Sequence, residues 1–575
     1  MLFNYSLCFL LFIYLFIISV IFFVMGIYFS LFDLVYFVEY ELFMFNSSQL
    51  IMTLLFDWMS LIFMSFVLFI SSLIINYSEE YMMGDFFLNR FIILVMMFVL
   101  SMMMMIVSPN MISILLGWDG LGLVSYCLVI YYQNVKSFNA GMITALSNRV
   151  GDSMLLMCIA WMFNYGSWNF FMYLDFFSID FSTNFMCLLI LIAAMTKSAQ
   201  IPFSPWLPAA MAAPTPVSSL VHSSTLVTAG VYLMIRFNPL YLNSNLCMMF
   251  MFISLITMFM SGFCANFEFD LSSIIALSTL SQLGLMMFII SFGQVYLAFF
   301  HLLTHAMFKA LLFMCSGVII HSLKDCQDVR YLGNIFNQMP LTCVCFIISS
   351  LCLCGFPFMS GFYSKDFILD FYSMGYLSLF SYFVFYFSTG LTVSYSIRLI
   401  YYLAVSDYSF FSFHYVYDNS FIMLRSMFVM LICSIFIGCL LSWIIFPTPL
   451  YIMMPLFMKL MVLIVCLFGL FFGWFLSKFN LFDSMIMYLF SSIYNFIGNM
   501  WYMPYITVSI PFIPMSVGYN IISSSDFGWF EYYGGQGLCY IMMLLSVFNQ
   551  KVQNTMFYIF FILFSFWFIL FIIII

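Results

Sequence analysis

Charged side chains are scarce in this sequence: lysine, arginine, aspartate and glutamate together account for 6% of its 575 residues. A typical soluble protein has about 25%. Apolar residues make up 66% of the chain, and its mean hydropathy is +1.14. Because too few polar side chains remain to cover a folded core, a water-soluble globular protein is excluded.

The sequence also lacks the cysteine patterns of metal and cluster proteins. Its 16 cysteines are scattered through apolar stretches, and the closest pairs are Cys343/Cys345 and Cys352/Cys354, with no Cys-x2-Cys. Iron–sulfur and structural zinc sites need tighter, repeated thiolates. There is no dinucleotide-binding Gly-x-Gly-x-x-Gly motif after a strand. No metal, redox cofactor, disulfide framework or nucleic-acid partner is therefore predicted for this chain.

Long apolar runs are what the chain does contain, for example at 9–31 and 556–575. A membrane-spanning helix needs about 20 such residues, so there is room for about 14–17 of them. A transmembrane barrel is disfavoured, because its strands alternate apolar and polar residues. The predicted class is an all-α polytopic membrane protein. Its predicted helices cover about 6–31, 50–76, 89–107, 110–132, 140–164, 184–200, 208–236, 246–265, 271–292, 295–321, 338–355, 362–373, 376–403, 421–446, 453–477 and 554–575.

Two stretches interrupt this pattern. Residues 202–216 hold five of the fifteen prolines, and 355–362 combine two glycines with Pro357. Proline disfavours a continuous helix, and unwound backbone inside a membrane is tolerated only within protein or beside water. Lys197 precedes the first break and Lys365 follows the second, a pattern typical of transporters with broken helices. Simple proline kinks remain an alternative.

The segment 481–553 mixes apolar residues with asparagine, serine, glycine and proline, and one last apolar run follows it. An interfacial amphipathic helix followed by a membrane anchor fits this composition. A series of imperfect spans and loops is the alternative interpretation.

Ionisable residues inside the predicted spans are the most informative ones, because each costs about 2.5–3.5 kcal/mol at the bilayer centre. Asp119, Asp152, Lys197 and His222 lie in the first part of the chain, and Arg149 is placed to pair with Asp152. Helix-packing ion pairs are the alternative role, especially for Arg149 and Arg236. Charges outside the spans are interpreted as solvated: Glu79, Glu80, Asp85, Asp175, Asp180, Lys324, Asp325 and Asp328.

A second group follows in the second part of the chain. His301, His305 and Lys309 recur every four residues, which places them on one helical face about 6 Å apart. This interval suits one bridging water and a stepwise proton relay. A metal bound by His301 and His305 is the alternative. Lys365 and Asp366 are predicted to form an ion pair or an exit to solvent.

Five ordered segments, 117–126, 196–203, 213–222, 301–309 and 360–366, resemble the chain 5 family of mitochondrial NADH-ubiquinone oxidoreductase, respiratory complex I. Residues 528–536 are similar to its segment before the last helix. The resemblance implies two antiporter-like inverted repeats of five helices, each with a discontinuous helix, then a lateral helix and an anchor. This sequence departs from the family pattern after Asp270, because residues 271–273 are not the basic residues common there.

The resemblance also assigns roles to residues. Asp119 occupies the position of an acidic residue that is usually glutamate in the family. Lys197, Lys309 and Lys365 match the first-half, central and exit lysines, and His222 the neighbour of the first. Asp152 and Asp366 match further carboxylates. The complete predicted proton relay consists of Asp119, Asp152, Lys197, His222, His301, His305, Lys309, Lys365 and Asp366.

The resemblance implies a proton-translocating subunit of the complex I membrane arm, with a cation/proton antiporter subunit without redox coupling as the alternative. FMN, iron–sulfur clusters and ubiquinone are expected in partner subunits. The expected partners are other membrane-arm subunits, especially the adjacent antiporter-like one, and inner-membrane lipids including cardiolipin. The richness in methionine, phenylalanine and tyrosine favours encoding by an A/T-rich mitochondrial genome, and the inner membrane is the expected location. The expected divisions are N-terminal helices 1–108, antiporter-like halves 109–265 and 266–446, a further helix 447–480, a lateral-helix region 481–553 and an anchor 554–575.

Overall fold

Long α-helices joined by short connections dominate the computed structural model, as the apolar runs predict. The structure describes residues 6–45, 48–174, 183–242, 244, 246–375, 378–410, 416–418, 420–478, 491–554 and 557–575. Two of the charges interpreted as solvated, Asp175 and Asp180, lie outside the described residues.

The α-helices and strands, in chain order, are α1 (Leu7–Phe32), β1 (Tyr36–Phe45), β2 (Ser48–Phe56), α2 (Trp58–Tyr81), α3 (Leu88–Val107), α4 (Met111–Val129), α5 (Val135–Met162), α6 (Thr183–Lys197), α7 (Trp206–Ala209), α8 (Thr215–Val221), α9 (Leu226–Arg236), α10 (Asn238–Leu242), α11 (Leu246–Phe267), α12 (Leu271–Ser291), α13 (Val295–Ser322), α14 (Ile335–Gln338), α15 (Pro340–Cys354), α16 (Phe367–Ser373), α17 (Leu379–Ile400), α18 (Phe421–Ile445), α19 (Leu456–Lys478), α20 (Ser491–Gly498), α21 (Met503–Ser524), α22 (Phe530–Tyr533), α23 (Gly535–Gln553) and α24 (Phe557–Ile574).

Within the described residues, 13 helical segments are long and apolar enough to cross a membrane. Two shorter apolar helices, α6 and α15, lead into the predicted breaks. The 13 segments and these two helices make 15, within the expected number of 14–17 membrane-spanning helices. The chain divides into two compact units, 1–503 and 504–575.

One helix begins later than predicted. Residues 50–56 belong not to a helix but to β2, which pairs antiparallel with β1. The alternation of apolar and charged residues at Val38, Glu39, Tyr40 and Glu41 is typical of a strand. Helix α2 begins only at Trp58, because Asp57 caps it: Asp57 Oδ1 accepts a hydrogen bond from the Ser60 N–H at 2.8 Å. The expected all-α fold therefore carries one β-hairpin.

The core of the first unit is built around α13, whose residues 297–320 are all buried. Helices α2 and α12 are also almost entirely buried, whereas only about a fifth of the most apolar window of α1, α18 or α19 is buried. Polar bonds join the central helices: the Tyr77 hydroxyl of α2 donates to the Met314 carbonyl of α13 at 3.1 Å. The most protected helix thus carries the histidine–lysine row.

The first broken region has two interruptions. Helix α6 ends at Lys197, before the proline-rich stretch, and a helix of more than one turn resumes only with the seven-residue α8 at Thr215. The single helix predicted over 208–236 is therefore divided into shorter ones. A second gap, at 222–225, contains no proline. Here the Ser224 hydroxyl donates to the Leu220 carbonyl at 3.4 Å and the Thr225 hydroxyl to the same carbonyl at 2.9 Å. These hydroxyls bond to backbone carbonyls where the helix opens, which stabilises an unwound turn in an apolar interior.

The second broken region matches its prediction. Helix α15 ends at Cys354, and Gly355 and Phe358 adopt positive φ angles of 84° and 67°. The chain then forms a π-helical turn, Phe362–Asp366, which contains Lys365 and leads directly into α16. Such turns widen a helix locally and are frequent at functional sites.

The C-terminal unit is helical along most of its described length. Helix α21 contains Pro511 and Pro514, a π-helical turn spans Ser525–Trp529, and α22, α23 and α24 follow. The predicted lateral-helix region, 481–553, is therefore helical from α20 onward, whereas 481–490 lies outside the described residues.

Candidate proton-relay site

Lys197 lies at the last turn of α6 and is completely buried. Its amine donates to the Trp118 carbonyl at 3.3 Å and lies 5.1 Å from the centroid of the Trp118 ring. Gly122 of α4 also faces this amine: a Cβ at that position would lie 3.4 Å from Lys197 Nζ, an ordinary contact distance. The glycine-rich segment of α4 thus forms one wall of the lysine site.

Two carboxylates, Asp119 and Asp152, interact electrostatically with this lysine from α4 and α5. Asp152 is buried and forms an ion pair with Arg149 at 3.2 Å, which confirms the predicted local pairing. No ion pair joins Lys197 to Asp119 within the described residues. One oxygen of each carboxylate is buried there without a hydrogen-bond partner. A site with two acids and one amine, incompletely paired, can accept a proton or water with little rearrangement.

His222 lies at the start of the proline-free gap between α8 and α9 and is buried. Its ring stands 6.4 Å from that of Trp206 and 6.3 Å from that of Phe313, measured between centroids. Its Nδ1 has no partner within the described residues. The imidazole therefore lies between the first broken region and α13, with a free nitrogen.

The row on α13 has the predicted spacing. The rings of His301 and His305 are 6.3 Å apart, and both are buried. Lys309 is buried at the other end of the row and donates to the Ser278 hydroxyl of α12. Neither nitrogen of His305 is hydrogen-bonded within the described residues. Its place between His301 and Lys309 suits an imidazole that exchanges protons through water.

His301 connects three elements. Its Nε2 lies 3.2 Å from Gln282 Oε1 on α12, and its Nδ1 lies 3.0 Å from the Ser364 hydroxyl on the π-helical turn. The Thr304 hydroxyl donates to the same serine at 3.1 Å. With the proton on Nε2, the imidazole donates to Gln282 Oε1 and accepts at Nδ1 from the Ser364 hydroxyl, which in turn accepts from Thr304. This histidine therefore links α12 to the residue before Lys365.

Lys365 is buried, and its amine donates to the Thr392 hydroxyl of α17 at 2.7 Å. The ion pair considered for Lys365 and Asp366 is not formed within the described residues. Asp366 instead lines an open cavity of about 640 Å³. The two adjacent residues therefore differ: the Lys365 amine is enclosed, whereas the Asp366 carboxylate lines a cavity. The exit to solvent considered for this pair stays a prediction.

Sequence reasoning missed the neutral partners of these charges: Ser278, Gln282, Ser364 and Thr392. Ser278 and Gln282 are four residues apart and therefore on one face of α12, a spacing that could have indicated them, although Thr279 and Ser281 lie between them. Nothing in the sequence distinguishes Thr392 from the five other serines and threonines of α17, of which Ser388 and Thr389 bond only to carbonyls of their own helix.

No group of three or more histidine, cysteine, aspartate or glutamate residues within the described parts of the chain is placed to hold a metal ion. All 16 cysteines are free. Of the pair considered as metal ligands, His301 contacts Gln282 and Ser364, and both nitrogens of His305 are without a hydrogen-bond partner within the described residues.

Comparison with known proteins covers almost the whole chain. Residues 43–92 match the family "NADH-Ubiquinone oxidoreductase (complex I), chain 5 N-terminus", 108–392 match "NADH:quinone oxidoreductase/Mrp antiporter, TM", and 395–575 match "NADH dehydrogenase subunit 5 C-terminus". NADH-ubiquinone oxidoreductase chain 5 of Locusta migratoria is 54% identical over 98% of this chain and 99% of its own length. The chain belongs to the chain 5 family of complex I. The Aedes aegypti member of the family is 57% identical over 94% of this chain and 93% of its own length.

The fold of this chain 5 family member is also found outside complex I. The structure of an Mrp complex from Dietzia sp. DQ12-45-1b matches with a TM-score of 0.68 and 21% identity, over 87% of this chain and 60% of that chain. At that identity the likeness concerns the fold alone. It agrees with the expected antiporter-like architecture, and the family resemblance predicted from the five motifs is confirmed.

Proposed function

We propose that this chain moves protons across the mitochondrial inner membrane as a core subunit of the complex I membrane arm. The observation that carries the proposal is the placement of buried amines and imidazoles at the two broken regions and along α13 between them, with the buried Asp152 and the half-buried Asp119 and Asp366 beside the lysines. Buried ionisable groups inside spans are costly and therefore indicate an ion or proton pathway.

The proposed path begins at the acids Asp119 and Asp152 with Lys197 and passes His222. It continues along α13 through Lys309, His305 and His301 to Lys365, and it leaves at Asp366. Ser278, Gln282, Ser364 and Thr392 hold the second-half groups in position. The intervals without direct bonds, such as the 6.3 Å between the two histidine rings, suit a bridging water.

The energies involved are of matching size. Moving one charge against a membrane potential costs about 2.3 kcal/mol per 100 mV. Placing one charge at the membrane centre costs about 2.5–3.5 kcal/mol. A change in water access or pairing at a single buried amine is therefore large enough to drive one transfer.

In this proposal the oxidation of NADH and the reduction of ubiquinone take place in partner subunits, which hold FMN and iron–sulfur clusters. The adjacent antiporter-like subunit is the expected neighbour, and inner-membrane lipids including cardiolipin surround the chain. The halves are proposed as 109–265 and 266–446, after helices 1–108. A further helix at 447–480, the lateral region 481–553 and the anchor 554–575 complete the chain.

A cation/proton antiporter subunit without redox coupling is the second candidate, and the Mrp fold neighbour is what favours it. The match of residues 395–575 to the subunit 5 C-terminus favours the complex I role instead. Sodium transport that continues without NADH turnover in the reconstituted complex would support the antiporter.

The proposal is tested by replacing Lys197 with alanine. We expect the complex to assemble, while NADH-driven proton uptake into proteoliposomes falls by about 10²-fold, the usual effect of removing a proton-transfer group. The control is Lys324→Asn, which removes an exposed lysine whose φ of 53° asparagine tolerates. Unchanged proton uptake in the assembled Lys197→Ala complex would contradict the proposal.

Gln282→Leu tests the positioning role of the neutral partners. The change removes the oxygen that faces His301 Nε2 and leaves the size of the side chain similar, so we expect proton uptake to fall about tenfold for the loss of one buried hydrogen bond. Thr279→Val is the matched control, because its buried hydroxyl donates only to the carbonyl of Ala276 in the same helix. Equal losses in both variants would indicate a general packing effect and refute the positioning role.

A further inference from the structure

A cavity of about 640 Å³ opens near one end of each of three helices. Helix α16 stops at Ser373, α18 stops at Ile445, and α19 begins at Leu456. Two prolines of the α18–α19 connection, Pro447 and Pro449, also line it. Because membrane-spanning helices end near the membrane surface, we expect a cavity at these helix ends to open there.

The walls of this cavity are apolar and partly aromatic. They include Phe367 of α16, Trp443 of α18, the following Phe446, and Leu460 and Leu463 of α19. Trp443 exposes 77% of its surface, as tryptophans at a membrane interface do. Walls of this kind suit a hydrocarbon chain.

Three charged side chains lie in the same cavity: Asp366, Asp370 and Lys459. The two aspartates are four residues apart, on one face of the helical segment and about 6 Å apart along its axis. Both are half-buried, and neither side chain accepts a hydrogen bond within the described residues. Both carboxylates are therefore available to a donor on a ligand.

Lys459 lies in the first turn of α19 and is exposed. It interacts electrostatically with Asp370, but no ion pair joins them within the described residues. The cavity therefore presents two acceptors and one separate cation, with a net charge of −1. An anionic ligand is disfavoured by this balance, and a simple cation would leave Lys459 unmatched.

We propose that this cavity binds a zwitterionic glycerophospholipid with a primary ammonium headgroup, the phosphatidylethanolamine class. The ammonium donates to Asp366 and Asp370, the phosphate faces Lys459, and an acyl chain lies along Trp443 and Leu463. A primary ammonium is preferred to choline because it has N–H donors for two carboxylates, whereas a trimethylated nitrogen has none. The site does not depend on the proposed proton relay, although Asp366 belongs to both.

The test uses the assembled complex in nanodiscs and a photoreactive phosphatidylethanolamine whose acyl chain carries a diazirine. Matched phosphatidylcholine and phosphatidylglycerol probes are used in parallel, and labelled peptides are identified by mass spectrometry. We expect labelling of 443–463 to be about tenfold stronger with the ethanolamine lipid than with either other lipid. This is the difference in affinity that one hydrogen bond to a charged group contributes. Equal or stronger labelling by phosphatidylglycerol would overturn the proposal without any variant.

Two variants probe the two ends of the headgroup. Asp370→Asn and Lys459→Gln are each expected to lower ethanolamine-lipid labelling about tenfold, since each removes one charged partner. Asp33→Asn, at an exposed residue with a left-handed φ of 48°, is the matched control and is expected to leave it unchanged. Unchanged labelling in both cavity variants would refute the site. Proton uptake measured on the same samples separates failure of this site from failure of the relay.

Discussion

Replacing Lys309 by methionine is expected to stop proton movement through this chain while leaving the complex assembled. Methionine has a similar length and fills the same buried space, so only the charge and the donor to Ser278 are lost. Because Lys309 is the amine of α13 between the two broken regions, its loss interrupts the proposed path. We expect NADH-driven proton uptake to fall by about 10²-fold.

Lys309→Arg separates the role of the charge from the role of the proton. Arginine keeps a positive charge but does not give up its proton in proteins. A proton carrier therefore fails with both methionine and arginine, whereas a purely structural cation is rescued by arginine. The measurements are proton uptake per NADH oxidised and the amount of assembled complex on native gels. Recovery of proton uptake in Lys309→Arg would contradict the relay.

The charged members of this site could be predicted from sequence because charge is so rare in the chain. Asp119 and Lys197 stand out against apolar neighbours, and the interval of four in His301, His305 and Lys309 directly predicts one helical face. The 6.3 Å between the two histidine rings confirms that spacing. Contacts between distant segments could not be predicted, such as His301 with Ser364, because they depend on how α13 meets the second broken region.

The broken regions were only partly predictable, for a similar reason. Proline and glycine act on the local backbone. Pro202 therefore indicates the interruption after α6, and Gly355 indicates the interruption after α15. The gap at 222–225 has no such residue and depends on hydroxyls bonding to the carbonyl of Leu220. Serine and threonine also occur within intact membrane helices, so their presence alone does not predict a break.

An ion pair between two distant segments anchors α9, the helix that follows the first broken region. Arg236, the last residue of α9, donates to both oxygens of Asp57, at 2.5 and 2.8 Å. The Arg236 guanidinium also donates to the Tyr232 hydroxyl, which in turn donates to the carbonyl of Ile106 at 3.1 Å. Asp57 caps α2 as well. The pair therefore connects α2, α3 and α9, and it confirms the helix-packing role considered for Arg236.

Removing one partner of this pair is expected to prevent assembly or to destabilise the complex strongly. The two side chains expose only 14% and 12% of their surface, so Arg236→Met leaves a buried carboxylate uncompensated, at a cost of about 3–5 kcal/mol. Asp57→Asn instead leaves the positive charge of the Arg236 guanidinium uncompensated. The readouts are the yield of assembled complex and its thermal midpoint.

The double variant and a second ion pair decide between a specific pair and a general loss of charge. Asp57→Asn with Arg236→Met leaves neither charge buried, so its cost is expected to be well below the sum of the two single costs. Arg330→Gln is the control, because Arg330 and its partner Asp328 expose 48% and 21% of their side chains and such pairs contribute about 1 kcal/mol or less. If the double variant costs as much as the two single variants together, the residues act independently. That result would contradict the ion pair as the contact that anchors α9.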